Sequence, residues 1–125
     1  MPNPRKPRLI RDGEITVVEF GDELSHLGED VMAGVATAVG DAGQADPPLV
    51  LLDMARVKFF GSSFIEVLYR LWKAVQSRGG QFVLTGVHAY CLEVLQVTKL
   101  DQIWKFAPDR AAGLALLRAT QPAVK

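Results

Sequence analysis

The sequence predicts an α/β fold built around a parallel βαβ unit, and three observations carry that prediction. "LVLLDM", Leu49 to Met54, is a continuous apolar run of strand length, the pattern of a strand covered on both faces. "QFVLTGV", Gln81 to Val87, is a second such run. Between them lies a stretch whose apolar residues recur at helical spacing over about 16 residues. Strand, helix and strand in that order imply a right-handed parallel crossover.

The elements follow in chain order. Met1 to Pro7 holds three prolines and two basic residues and reads as a frayed tail. "RLIRDGEITVVEF" reads as a hairpin, with Asp12-Gly13 as a type I′ turn between Leu9-Ile10 and the run Ile15 to Phe20. Gly21 to Gly28 is expected to be a polar loop. A helix follows, with Val31, Val35 and Val39 on one stripe, Met32 and Ala36 beside it, and Glu29 and Asp30 at the favourable end of its dipole. "GDAGQADPP" is expected to break that helix and form a surface loop.

The helix of the βαβ unit carries Phe64, Leu68, Leu71 and Val75 on one stripe, widened by Ile65, Val67 and Trp72. Glu66, Arg70, Lys73 and Ser77 take the opposite face, and Gly79-Gly80 ends it. "AYCLEVLQV" reads as a short helix and "QIWKF" as a small strand. "PDRAAGLALLRA" reads as a last helix, its start marked by Pro108 and Asp109. The domain is expected to span residues 9–119, with tails at 1–8 and 120–125.

Composition excludes several classes of function. Fourteen basic and fourteen acidic side chains cancel, so no global field draws in nucleic acid or an anionic membrane. Cys91 is the single cysteine and reads as a small buried hydrophobe. No apolar run reaches membrane-spanning length and none of signal-peptide type follows the N-terminus, which gives the cytoplasm as the simplest address. His26 and His88 stand far apart without ligand spacing, so no metal is expected. No phosphate-binding glycine motif and no G-x-S-x-G elbow is present, and no cofactor is expected. Trp72 and Trp104 read as packing residues. Asp53, ending a central strand, is either a strand-end ligand group or the acceptor that fixes the following turn.

The candidate site is "FFGSSFIEV". Ser63 stands three residues before Glu66, which satisfies the S-x-x-E capping box, worth about 1 kcal/mol. The same position suits a switch. A phosphate at a helix N-terminus meets free N–H donors and the positive end of the dipole. It would also charge a surface expected to display Phe60 or Phe64, and burying an unpaired charge at an interface costs roughly 2–5 kcal/mol.

Three runs carry a family resemblance: "LLDM…V.F..SS" at Leu51 to Ser63, "GGQFVLTGV" at Gly79 to Val87, and "VLQVTKLDQIWKF" at Val94 to Phe106. Together they resemble the STAS domain of bacterial anti-sigma-factor antagonists, over residues 9–118. The resemblance implies a mixed sheet of four or five strands with about four helices, and no catalysis. It implies binding of an anti-sigma factor or serine kinase of the partner-switching type, through Phe60, Gly61, Ser62, Ser63, Phe64, Glu66 and Val67. The family pattern D-S-S-G-L places the phosphoacceptor at Ser63, with Ser62 as second candidate. The stressosome-like pattern D-S-F-I, set against "SSFI", also selects Ser63.

This sequence departs from both patterns. Gly61 or Ser62 stands where the family has an acid, Phe64 where it has glycine, and Glu66 where it has a small residue. The familiar G-x-L-D is only "GDELS", Gly21 to Ser25. An alternative is therefore a scaffold or accessory subunit that is never phosphorylated, as in stressosomes or a lipid-transport ATPase complex. A small-molecule or nucleotide-binding sensor is a third class. Homodimerisation is a further candidate.

Overall fold

The computed structural model describes residues 6–120. Of the expected tails, residues 1–5 and 121–125 lie outside the described residues, while Arg8 already belongs to the first strand and Thr120 to the last helix. The strands are β1 (Arg8–Asp12), β2 (Ile15–Glu19), β3 (His26–Leu27), β4 (Leu49–Asp53), β5 (Phe59–Phe60), β6 (Gln81–Thr85) and β7 (Lys105–Ala107). The helices are α1 (Glu29–Gly43), α2 (Ser62–Ser77), α3 (Ala89–Val97) and α4 (Arg110–Thr120). Five strands form one mixed sheet in the order β1-β2-β4-β6-β7. Its first pair is antiparallel and the rest are parallel. β4, α2 and β6 are the expected βαβ unit, with Leu49 opposite Gln81 and Asp53 opposite Thr85.

Alternation along the central strands divides the core between the two faces. Val18, Val50, Leu52, Phe82 and Leu84 join one cluster with α1, α2 and α3. Ile15, Val17, Leu49, Leu51 and Val83 join a second with Leu114 and Leu117 of α4. Both faces of β4 are therefore buried, as its unbroken apolar run requires. Trp104 and Cys91 are buried and Trp72 is half-buried, in line with their reading as packing residues.

Four expectations need correction. Asp12 pairs with Ile15, so the hairpin turn is Gly13-Glu14 and not Asp12-Gly13. Gly13 has φ 63° and Glu14 does not share the positive sign, the pattern of a type II′ turn with glycine first. α1 runs through "GDAG" to Gly43 before it breaks. A Cβ at Gly43 would lie 3.2 Å from Leu71 Cδ1 and 3.6 Å from Ala74 Cβ, so the glycine lets α1 and α2 approach closely.

The segment expected as a polar loop, Gly21 to Gly28, holds a 3-10 turn with buried Leu24 and then β3 with buried Leu27. β3 pairs in parallel with β5, His26 opposite Phe59 and Leu27 opposite Phe60, as a separate two-stranded sheet. Strand ends also shift. β4 stops at Asp53 and β6 at Thr85, where Gly86 turns the chain with φ 67°. β7 starts at Lys105, because Leu100–Gln102 is a 3-10 turn.

Candidate partner-binding site at the start of the second helix

The parallel strands β2, β4, β6 and β7 end on one edge of the sheet, and the small β3–β5 sheet is tied into the chain there. The backbone N–H groups of Lys58 and Phe59 donate to the carbonyl of Ser25, at 2.7 and 3.2 Å. β3 leads into α1 and β5 leads into α2, so pairing the two short strands brings the two helix N-termini together. The contact is direct: the Ser63 hydroxyl donates to Glu29 Oε2 in the first turn of α1.

That bond revises the part played by Ser63. The N-cap of α2 is Gly61, in extended conformation at φ −108° and ψ −170°, and no side chain caps the helix. The Gly61 carbonyl accepts from the N–H of Phe64 at 3.1 Å. The expected capping box does not form. Ser63 is already one residue inside the helix, where its hydroxyl reaches across to α1. Glu66 does not return to the cap. It is exposed and stands 3.8 Å from Arg70, one turn along.

The expected aromatic surface is also corrected. Phe60 and Phe64 are 2% and 0% exposed. Their rings lie 5.1 Å apart, and Phe64 meets Phe20 edge-on at 5.9 Å. Both are core residues and so is Val67. In a strand neighbouring side chains point opposite ways, and Phe59 is the one that faces solvent. Phe59 stacks on Tyr90 of α3 at 5.9 Å, and the His26 ring, tilted against it, lies at 6.4 Å. This exposed row of three rings was not found from sequence. Its one available signal was the pair Phe59-Phe60, read as a strand with one ring in and one out. Of the residues expected at the surface here, Ser62 and Glu66 are exposed, and Gly61 and Ser63 partly so.

Asp53 stands at the same sheet edge and fixes the turn, one of the two readings of its position. Its Oδ1 accepts from the N–H of Ala55 at 3.1 Å. Its Oδ2 accepts from Arg110 Nε and Nη2, at 3.0 and 2.8 Å. Arg110 Nη2 also donates to Glu19 Oε2 at 2.7 Å, and Arg8 pairs with the other oxygen of Glu19 at 3.1 Å. The guanidinium of Arg110 is held above its ordinary range, first by the hydrogen bond to Glu19. Burial opposes this, and Asp53 adds to it. Arg110 thus clamps two adjacent strand ends to the start of α4.

His26 Nδ1 lies 3.1 Å from Ser25 Oγ, and His88 Nε2 2.8 Å from the Ala55 carbonyl. Among the described residues no group of three or more His, Cys, Asp or Glu could hold a metal ion. Among them, too, no helix is long and apolar enough to cross a membrane.

A mixed five-strand sheet with helices on both faces, and a helix start presented at the strand-end edge, define the class of fold. Comparison with known proteins places the chain within it. The STAS domain family model matches residues 7–113. The chain is similar to an anti-sigma-factor antagonist (STAS) domain protein from Planctomyces limnophilus, with 37% identity and TM-score 0.83, covering 90% of this chain and 97% of that one. It shares its fold with an anti-sigma factor antagonist from Mycobacterium paratuberculosis at 17% identity and TM-score 0.77, covering 94% and 99%. The murine solute carrier 26 family member A9 anion transporter contains a similar fold, at 17% identity and TM-score 0.66, covering 89% of this chain and 19% of the transporter. No curated protein sequence gives a significant match. The chain belongs to the STAS domain family.

Proposed function

We propose that this chain is a regulatory protein-binding module of the anti-sigma-factor antagonist type, switched by phosphorylation at Ser63. The observation that carries the reading is the Ser63 hydroxyl, placed on the first turn of an uncapped helix and bonded to Glu29 of the neighbouring helix. In this reading the partner is an anti-sigma factor with serine kinase activity. It docks on the rim formed by Gly61, Ser62, Ser63 and Glu66, with Phe59 and Tyr90 supplying the apolar contact that Phe60 and Phe64 do not. The chain itself carries out no catalysis and holds no cofactor.

The switch follows from electrostatics. A phosphate on Ser63 removes the hydroxyl hydrogen that Glu29 accepts and adds close to two negative charges. Like-charge repulsion from Glu29 and Glu66 then turns the phosphate outward, into the surface a partner would bury. An unpaired charge there costs the complex roughly 2–5 kcal/mol, about 30- to several-thousand-fold in affinity.

The Ser63–Glu29 bond also favours a second reading. A hydroxyl engaged by a carboxylate, with no acid preceding it, suits a fixed interface in a scaffold or accessory subunit. Phosphosite mass spectrometry on protein from its own cells, in growth and under stress, separates the two. Condition-dependent phosphate on Ser63 is the expected result, with Ser62, which is exposed, as the second position to inspect. Unmodified serines in every condition, together with a co-purifying complex insensitive to Ser63→Asp, would replace the switch by the scaffold.

A further inference from the structure

The far half of α2 carries a second surface. On one helix Ser63 lies nine residues from Trp72 and thirteen from Gln76, roughly 13 and 20 Å at the helical rise, so the cleft is separate from the Ser63 rim. A cleft of about 220 Å³ opens there, between α2, the start of β6 and the residues around β7. Trp72, Phe82, Ile103 and Trp104 supply its apolar walls, and Gln81 and Lys105 its polar ones. Apolar surface continues outward. Ile103 is 51% exposed, and Tyr69, 46% exposed, packs on Trp72 at 5.4 Å.

Three features of the cleft indicate what fills it. The first is a pair of unsatisfied polar atoms on its lining residues. Trp104 is 96% buried by residue area (4% exposed), yet its indole N–H has no hydrogen-bond partner, and neither does Gln81 Oε1. A buried donor and a buried acceptor left unpaired are costly, so a complementary acceptor and donor would be favoured there. The second is charge. No carboxylate lines the cleft, Lys105 stands at its edge, and Lys73 lies over the Trp72 ring at 5.8 Å. Neither lysine pairs with an acid among the described residues. The third is the sheet edge. β7 is the last strand of the sheet and pairs with no further strand among the described residues.

We infer that this cleft is a docking site for an acidic peptide segment of a partner protein, one that inserts a bulky apolar side chain. A single occupant answers the unpaired atoms and the charge, and it lies beside the unpaired edge of β7. Its apolar side chain packs between Trp72, Phe82 and Ile103. Its backbone offers one C=O to the Trp104 indole N–H and one N–H to Gln81 Oε1. Its flanking carboxylates meet Lys73 and Lys105. Both unsatisfied atoms are shielded from solvent in the free chain, so those two hydrogen bonds form on binding, as the Gln81 amide and neighbouring side chains rotate. With this site and the Ser63 rim at opposite ends of α2, the domain can hold two partners at once.

The two tryptophans of the sequence both line the cleft, which makes intrinsic fluorescence a direct readout. The test titrates the full chain with the peptide acetyl-Asp-Glu-Leu-Phe-Glu-Asp-amide, following tryptophan emission and the Trp104 indole N–H by heteronuclear NMR. The expected result is a saturable emission change with movement of that indole resonance. Lys105→Glu, a change at an exposed position, should weaken binding about tenfold or more, and Lys73→Glu should act in the same direction. Ser63→Asp should leave peptide affinity unchanged, whatever it does at the other end of the helix. No saturable change at millimolar peptide overturns the inference, as does equal binding by the counterpart with lysines replacing the acids. Equal affinity for N-acetyl-phenylalaninamide alone also overturns it and assigns the cleft to small amides instead.

Discussion

Cys91 shows how one buried side chain ties local chemistry to stability. Its side chain sits in the main core, 1% exposed, and burial pushes the thiol above its ordinary 9.0, with the backbone hydrogen bond at Phe60 only partly offsetting this. Only the thiolate reacts with alkylating agents, so iodoacetamide should label the native chain very slowly and the urea-unfolded chain fast. The raised value also fixes the sign of a pH effect. Folding favours the protonated thiol, so the stability it contributes is full below pH 9.0 and is lost as pH rises through the folded value. Urea midpoints should therefore fall more steeply from pH ~8 to pH ~10 in the native sequence than in Cys91→Ala. Equal slopes would show that the thiol ionises alike in both states. At the same scale, Ser63 was marked by its neighbours in sequence, but its bond was not. The cap falls where the chain leaves extended conformation, and the β3–β5 pairing puts that point at Gly61. The partner of its hydroxyl, Glu29, is 34 positions away, beyond any local pattern.

Helical glycines of opposite effect show what decides at the scale of elements. In α4 a Cβ on Gly113 would lie 2.4 Å from Thr85 Cγ2 and 2.8 Å from Leu51 Cδ1, both on buried strand residues. Gly113→Ala should therefore lose stability, by about 1–3 kcal/mol of overpacking, even though alanine is the better helix former. In α1, Gly40 is exposed and a Cβ there meets nothing within 4 Å. Gly40→Ala should gain about 0.5–1 kcal/mol from the same preference. Urea unfolding of the two variants gives the signs, and a stabilised Gly113→Ala would contradict the tight seat of α4 on the sheet. The contrast explains why the sequence marked α1 but misplaced its end. "GDAG" reads as a breaker by composition, whereas contact with α2 keeps it helical. The βαβ unit was legible because its strands are buried on both faces and its helix is strongly one-sided. β3 and β5 were not, since two-residue strands have no period and exist only through each other.

The whole molecule rests on an unequal division of its core, and that division bears on where the domain ends. Three helices cover one face of the sheet, while on the other α4 packs Leu114 and Leu117 onto five strand residues. The unbroken apolar runs of β4 and β6 implied two covered faces, but which helix goes to which face is set by topology and not by any single segment. The family model's match stops at residue 113, inside α4 and just before both leucines. A chain ending at 113 would keep every matched residue and yet leave Ile15, Val17, Leu49, Leu51 and Val83 without the cover of Leu114 and Leu117. By analogy with leucine truncation, each lost side chain costs about 2–5 kcal/mol, against a total stability for such domains of about 5–15 kcal/mol. The shortened chain should lose its cooperative urea transition and bind a hydrophobic dye such as anilinonaphthalene sulfonate, whereas a chain ending at 120 should unfold like the full sequence. A cooperative transition at the full-length midpoint for the shorter chain would mean that α4 contributes little to that core. Both chains retain Arg110, Glu19 and Asp53, so no partner of the sheet-edge ion pairs is deleted and the difference between them lies in the part of α4 that supplies apolar cover.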